Sequence, residues 1–195
     1  TEHPAVLEPV GSLEAQGWHI TRLQPAADGR IHPDQLAAAL RPDTVLVSLM
    51  QVNNETGIIH DIAALGAMCR ERNVRFHVDA AQSAGRLAID VGTLAVDYLS
   101  LSAHKFYGPQ GIGALFVRDR PRAGLVAQTH GGGQERERRA GTLAVHQIVG
   151  MGAAADIVMQ ERETEQARLT DLVARLETAL ADVPDLVWIG SDTPR

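Results

Sequence analysis

The 195-residue sequence has one cysteine, no basic run and no long apolar run, and each shortage excludes something. A lone Cys69 cannot close an internal disulfide or supply a Cys/His zinc site, which leans towards a reducing, cytoplasmic setting. With 18 Lys+Arg against 24 Asp+Glu, the formal net charge is −6, so no direct nucleic-acid partner is expected. The apolar runs are too short to span a membrane, and no charged-then-apolar leader opens the chain. Internal repeats and low-complexity stretches are missing too.

What is present is a globular composition, 45% apolar and 22% charged. The chain opens at Thr1 without Met and stops shortly after an apolar run, so it reads as a piece of something longer. Short β-branched runs at 18–23, 44–50, 74–78, 96–101, 112–117 and 186–189 are bounded by Gly, Pro, Asn or Asp, as buried strands are. Helices fall between them. Residues 33–40 carry Pro33 in the first turn, where its missing N–H costs nothing. Residues 61–72 open on an acidic group and align Ile62, Leu65, Met68 and Cys69 on one stripe. A long helix is expected over 145–183, with Gly150 and Gly152 as points where it bends or divides. Alternating strands and helices predict an α/β fold, a mainly parallel twisted sheet with helices on both faces. In such sheets ligands bind at the carboxyl ends of the strands.

Polar clusters follow several of those ends. Lys105 comes directly after an apolar strand, beside Ser102 and His104, and a partly desolvated lysine there suits Schiff-base chemistry with a carbonyl. The plainer alternative is a strand-end lysine before a glycine-rich turn. Asp79 ends another strand, where a carboxylate needs a partner, and a protonated ring nitrogen would be one. It could equally cap a helix or serve a loop. Taken together, Asp79 for a ring nitrogen, Gln82 for a phenolic oxygen, Ser102 and His104 for a phosphate and Lys105 for an aldehyde match the groups of pyridoxal phosphate. His77 and His146 read as packed or hydrogen-bonded residues rather than ligands.

The segments His77-Val78-Asp79-Ala80-Ala81-Gln82 and Ser102-Ala103-His104-Lys105-Phe106-Tyr107-Gly108-Pro109 resemble the class V aminotransferase group of fold-type I pyridoxal-phosphate enzymes. Thr1-Glu2-His3-Pro4, Val52-Asn53-Asn54-Glu55-Thr56-Gly57, His130-Gly131-Gly132-Gly133 and Arg139-Ala140-Gly141-Thr142 narrow the resemblance to cysteine desulfurases of the NifS/IscS type. That resemblance implies that Lys105 carries the cofactor and shuttles a proton. Asp79 pairs with the ring nitrogen, Gln82 bonds the phenolic oxygen, and Ser102 and His104 hold the phosphate. His3 stacks on the ring and assists acid–base steps, and Asn54 lies near the cofactor and the substrate carboxylate. Thr142 reaches the phosphate of a partner subunit's cofactor, which implies a homodimer. Glu137 and Ala140 stand where close relatives often carry Gly and Ser, a departure that bears on the loop before Thr142 and removes none of the motif residues.

The resemblance also implies L-cysteine as substrate, alanine and a protein persulfide as products, and sulfur-acceptor proteins such as an Fe–S scaffold as partners, for cluster assembly or tRNA thiolation. Cys69, on an apolar helical stripe, does not suit the exposed thiol that must take the sulfur. In the family that cysteine and a substrate-binding arginine lie beyond the point where this chain stops. A Gly/Thr phosphate segment precedes Thr1 there. Residues 1–150 are therefore read as most of the cofactor-binding large domain, and 151–195 as a connecting helix and the start of a smaller one. The readings that compete are another class V enzyme, a selenocysteine lyase or a small amino-acid aminotransferase, and a non-catalytic scaffold of the same fold.

Overall fold

Along one strand Phe76 and Val78 are fully buried while Arg75, His77 and Asp79 are half-buried, and this two-residue alternation orients the sheet. The structure is a computed structural model that describes residues 1–119, 124–190 and 193–195. Four strands, β1 (Leu46–Met50), β2 (Arg75–Asp79), β3 (Tyr98–Ser102) and β4 (Gly113–Val117), lie side by side in chain order. The pairs β1–β2 and β2–β3 are parallel, and β4 returns antiparallel on β3. The sheet is thus mainly parallel, as the strand–helix alternation predicts, with one antiparallel edge strand.

Four helices accompany it: α1 (Pro4–Ala15), α2 (Pro33–Ala39), α3 (Ile62–Glu71) and α4 (Val145–Leu180). Asp61 caps α3 by accepting the Ala64 N–H at 3.0 Å, and the predicted stripe places Ile62, Leu65 and Cys69 in the core against Phe76 and Val78. Leu65 is wholly buried, and truncating it to Ala should cost about 2–5 kcal/mol. A second, smaller core joins Ala154 and Val158 of α4 to Ala103 and Phe106 in the 3₁₀ turn Ala103–Phe106 that follows β3. The opposite sheet face opens on a groove of about 1210 Å³, between Leu46, Ser48, His77 and Tyr98 on one side and Val6, Val10 and Leu13 of α1 on the other.

Several expectations need correction. Residues 18–23 form no strand, since Trp18 is 54% exposed and the segment pairs with nothing in the sheet. Residues 186–189 are likewise irregular, and Val187 is 79% exposed: an apolar run alone does not make a strand without a neighbour to bond. Helix α1 was not anticipated, although His3 caps it with Nδ1, accepting the Ala5 N–H at 3.1 Å, and Pro4 occupies its first position. Gly150 and Gly152 do not divide α4, which runs unbroken from Val145 to Leu180. At Gly150 the missing side chain lets the helix meet Pro109, because a Cβ there would lie 2.7 Å from its ring.

Candidate active site

The carboxyl ends of three parallel strands form one rim, and backbone bonds tie its parts together. The Gln51 N–H donates to the Asp79 carbonyl at 2.9 Å, and the Ala80 N–H donates to the Ser100 carbonyl at 2.8 Å. Asp79 stands in register with Met50 on one side and Ser100 on the other. Its Oδ1 accepts the Ala81 N–H at 2.9 Å, which turns the chain towards Gln82. Among the described residues Oδ2 carries no hydrogen bond. Asp79 therefore serves the loop and still offers an oxygen to a ligand.

One step further along, the Ser102 hydroxyl and His104 Nδ1 are 2.9 Å apart. Both groups belong to the start of the 3₁₀ turn, whose last residues are closed by Tyr107 in a left-handed conformation (φ 68°). Gly108 follows because any side chain there would meet the Ala103 carbonyl oxygen at 3.0 Å. Lys105 rides on this turn and is exposed, which corrects the expectation of partial desolvation: the turn lifts the amine out of the strand end into solvent. It is the only lysine in the sequence.

The segment carrying His3 is pinned to the same rim. The Met50 N–H donates to Glu2 Oε1 at 2.8 Å, and the Asn53 side-chain amide donates to the Thr1 carbonyl at 3.0 Å. Burial raises the Glu2 carboxyl above the ordinary carboxylate range, partly offset by the Met50 N–H. Asn53, nearly buried, is spent on structure, since its Oδ1 accepts from the Glu55 and Thr56 amides and the Thr56 hydroxyl. Its neighbour Asn54 turns its own amide to Glu55 at 2.8 Å.

Thr142 lies apart. It is exposed, in a loop held by the Ala140 N–H on Thr129 and the Gly141 N–H on Gln134, with no bond to the rim among the described residues. His146 is exposed in the first turn of α4 rather than packed. The reading of His77 stands, since it bonds Ser48 and Ser100. Cys69 is fully buried, and burial pushes its thiol up to about 11. Sequence reasoning passed over Glu2. The available signal was its place beside His3, where an acidic group next to a rim residue invites a search for its donor.

The rim thus gathers a carboxylate, an amide, a hydroxyl–imidazole pair and one primary amine. Residues 1–195 match the aminotransferase class-V family. The chain belongs to that family. Enzymes of the class depend on pyridoxal phosphate, and the rim carries groups of a kind that cofactor needs, an open Asp79 oxygen and the Ser102–His104 pair. The cysteine desulfurase IscS of Tolumonas auensis is 53% identical over 195 residues, all of this chain and 48% of the relative. The crystal structure of DndA from Streptomyces lividans superposes with a TM-score of 0.92 at 42% identity, over 98% of this chain and 55% of that one. SspA in complex with cysteine gives a TM-score of 0.77 at 47% identity, over 80% of this chain and 45% of that one. The class-V chain spans about half the length of the curated relatives it matches.

Proposed function

We propose that this chain is the cofactor-holding part of a pyridoxal-phosphate-dependent cysteine desulfurase, in which a thiol outside these residues takes sulfur from L-cysteine. The observation that carries the reading is the lone amine Lys105, set on the turn after β3 beside the Ser102–His104 pair, with Asp79 at the end of the neighbouring strand. Likeness to the cysteine desulfurase IscS and to SspA, solved in complex with cysteine, supports the substrate. Bound at the rim, pyridoxal phosphate would supply an electron sink for negative charge developed on an amino-acid substrate.

The chain's own residues do the rest. Asp79 Oδ2 would accept a hydrogen bond from the protonated ring nitrogen and so keep that nitrogen positive. Ser102 and His104 present a hydroxyl and an imidazole to the phosphate, and Gln82 presents an amide to the phenolic oxygen. Lys105 holds the aldehyde and moves a proton at the substrate's Cα. His3 would stack on the ring and assist acid–base steps, and Asn54 would lie near the cofactor and the substrate carboxylate. In the net reaction the C–S bond of L-cysteine breaks, alanine leaves, and the sulfur joins a second thiol as a persulfide. Cys69, buried and held protonated at neutral pH, is not that thiol.

Residues 1–150 are read as most of the cofactor domain, with 151–195 leading into a smaller one. Thr142 serves a second subunit of a homodimer. A sulfur-acceptor protein, such as an Fe–S scaffold, and a reducing cytoplasm complete the proposal. The test is the complete protein supplied with pyridoxal phosphate and L-cysteine. Alanine and reductant-released sulfide in equal amounts are expected, both lost in Lys105→Ala. Pyruvate in place of alanine, or alanine without sulfide, would move the protein to another class V activity.

A further inference from the structure

His77 lies across three strands. Its Nδ1 is 2.8 Å from the Ser48 hydroxyl on β1, and its Nε2 is 3.2 Å from the Ser100 hydroxyl on β3. It shares a sheet face with Asp79, two residues on, at about 7 Å along the strand. Ser100 in turn stands in register beside Asp79, so its hydroxyl is the neighbouring group best placed to occupy that carboxylate. Among the described residues it bonds His77 instead.

We propose that His77 is a positioning residue for Asp79: a neutral crossbar that holds the Ser100 hydroxyl to itself and leaves the carboxylate open to the cofactor's ring nitrogen. The inference rests on the role given to Asp79 above. The ring proton then belongs on Nδ1, donated to the Ser48 oxygen, so that Nε2 accepts the Ser100 hydroxyl; a proton on Nε2 would leave the Ser100 O–H free for the carboxylate. Neutrality matters because a cation on the same face would compete with the ring nitrogen for the carboxylate. Burial lowers the His77 imidazole below its ordinary range, against the pull of Asp79, and a hydroxyl on each side satisfies the neutral ring. Arg75, the charged residue preceding it on this face, sits towards the other end of the strand.

The test compares variants of the complete protein loaded with pyridoxal phosphate. It reads cofactor affinity and the visible circular dichroism of the bound cofactor, with far-UV dichroism as a check on folding. His77→Phe keeps a ring and loses both bonds. It should bind the cofactor about tenfold more weakly, the scale of one lost hydrogen bond to a charged group, and change the visible ellipticity. His77→Gln reaches Ser100 and should restore most of both signals. His77→Asn reaches only Ser48 and should not. Phe and wild-type proteins with the same affinity and spectrum would overturn the crossbar while leaving the cofactor reading intact. If His77→Phe does not fold, equal behaviour of the Gln and Asn variants overturns it instead. A wild-type protein that takes up no cofactor overturns both.

Discussion

The hydroxyl of Ser102 and Nδ1 of His104 meet at 2.9 Å, two residues apart across the junction of strand and turn. Paired in this way, the two groups would meet the phosphate of the proposed cofactor as a unit. Ser102→Ala and His104→Ala should each weaken pyridoxal-phosphate binding about tenfold, or 1–2 kcal/mol. The double variant should lose less than the product of the two, because each single change already disturbs the shared bond. Fluorescence titration of the apoprotein measures this, and strictly additive losses would show that the residues act separately.

Lys105 is the only lysine in the 195 residues, which makes its chemistry unusually easy to isolate. Reduction of the cofactor-loaded protein with borohydride should attach the cofactor to a single peptide of this chain, the one containing Lys105. Lys105→Ala should remove the visible absorption band. A persistent band, or label on another peptide, would remove the lysine from its assigned role.

Cys69 should be chemically silent. Burial first, and the nearby Asp97 second, push its thiol from 9.0 up to about 11. The unfolded chain releases that proton at lower pH than the folded one. Stability is therefore fully retained below about pH 9 and falls as pH rises towards 11, by about 2–3 kcal/mol from this group. Cys69→Ser should leave sulfur release from cysteine nearly intact, and iodoacetamide should label Cys69 only under conditions that unfold the protein. Rapid labelling of the native protein contradicts the packing described.

His60 gives the opposite dependence. It is 2% exposed, neither ring nitrogen has a hydrogen bond of good geometry among the described residues, and burial followed by the Arg30 guanidinium lowers it from 6.5 to about 4. The unfolded state then binds the proton first. Stability is retained above about pH 6.5 and lost as the pH falls towards 4, by about 3 kcal/mol from this group. Denaturant midpoints recorded over that range should flatten in His60→Gln, and parallel curves for the two proteins would assign the acid sensitivity elsewhere.

The strands and helices that carry the rim were readable because each couples a periodic pattern to a partner. Residues 75–79 alternate beneath α3, and the stripe of α3 fits Phe76 and Val78. Residues 18–23 and 186–189 have the composition of strands, but a ladder is a property of two segments, and composition reports on one. Helix α1 escaped for a different reason. His3 and Pro4 suit a helix start, but a histidine there suits a site residue as well, and only the bond from Ala5 shows that it caps. At the site, the residue types mark the strand ends that carry the candidate groups, while the exposure of Lys105 depends on a 3₁₀ turn that no local pattern announces. The His77 crossbar needed three strands in register, a relationship that one strand's sequence does not contain.

The antiparallel return of β4 has a consequence for how the protein tolerates change. Ser102 pairs with Gly113 and Leu101 with Ala114, and a side chain at 113 would meet the Leu101 carbonyl oxygen at 2.6 Å. The connector at 103–112 is therefore clamped at both ends by the ladder, and its length acts as a ruler for the amine it carries. One residue inserted there would displace Lys105 by about 3 Å or slip β4 onto its wrong face, disturbing the smaller core at Ala103 and Phe106 and leaving the larger core of α3 and β2 in place. Insertions and deletions in this short span should yield protein that folds, accumulates and does nothing.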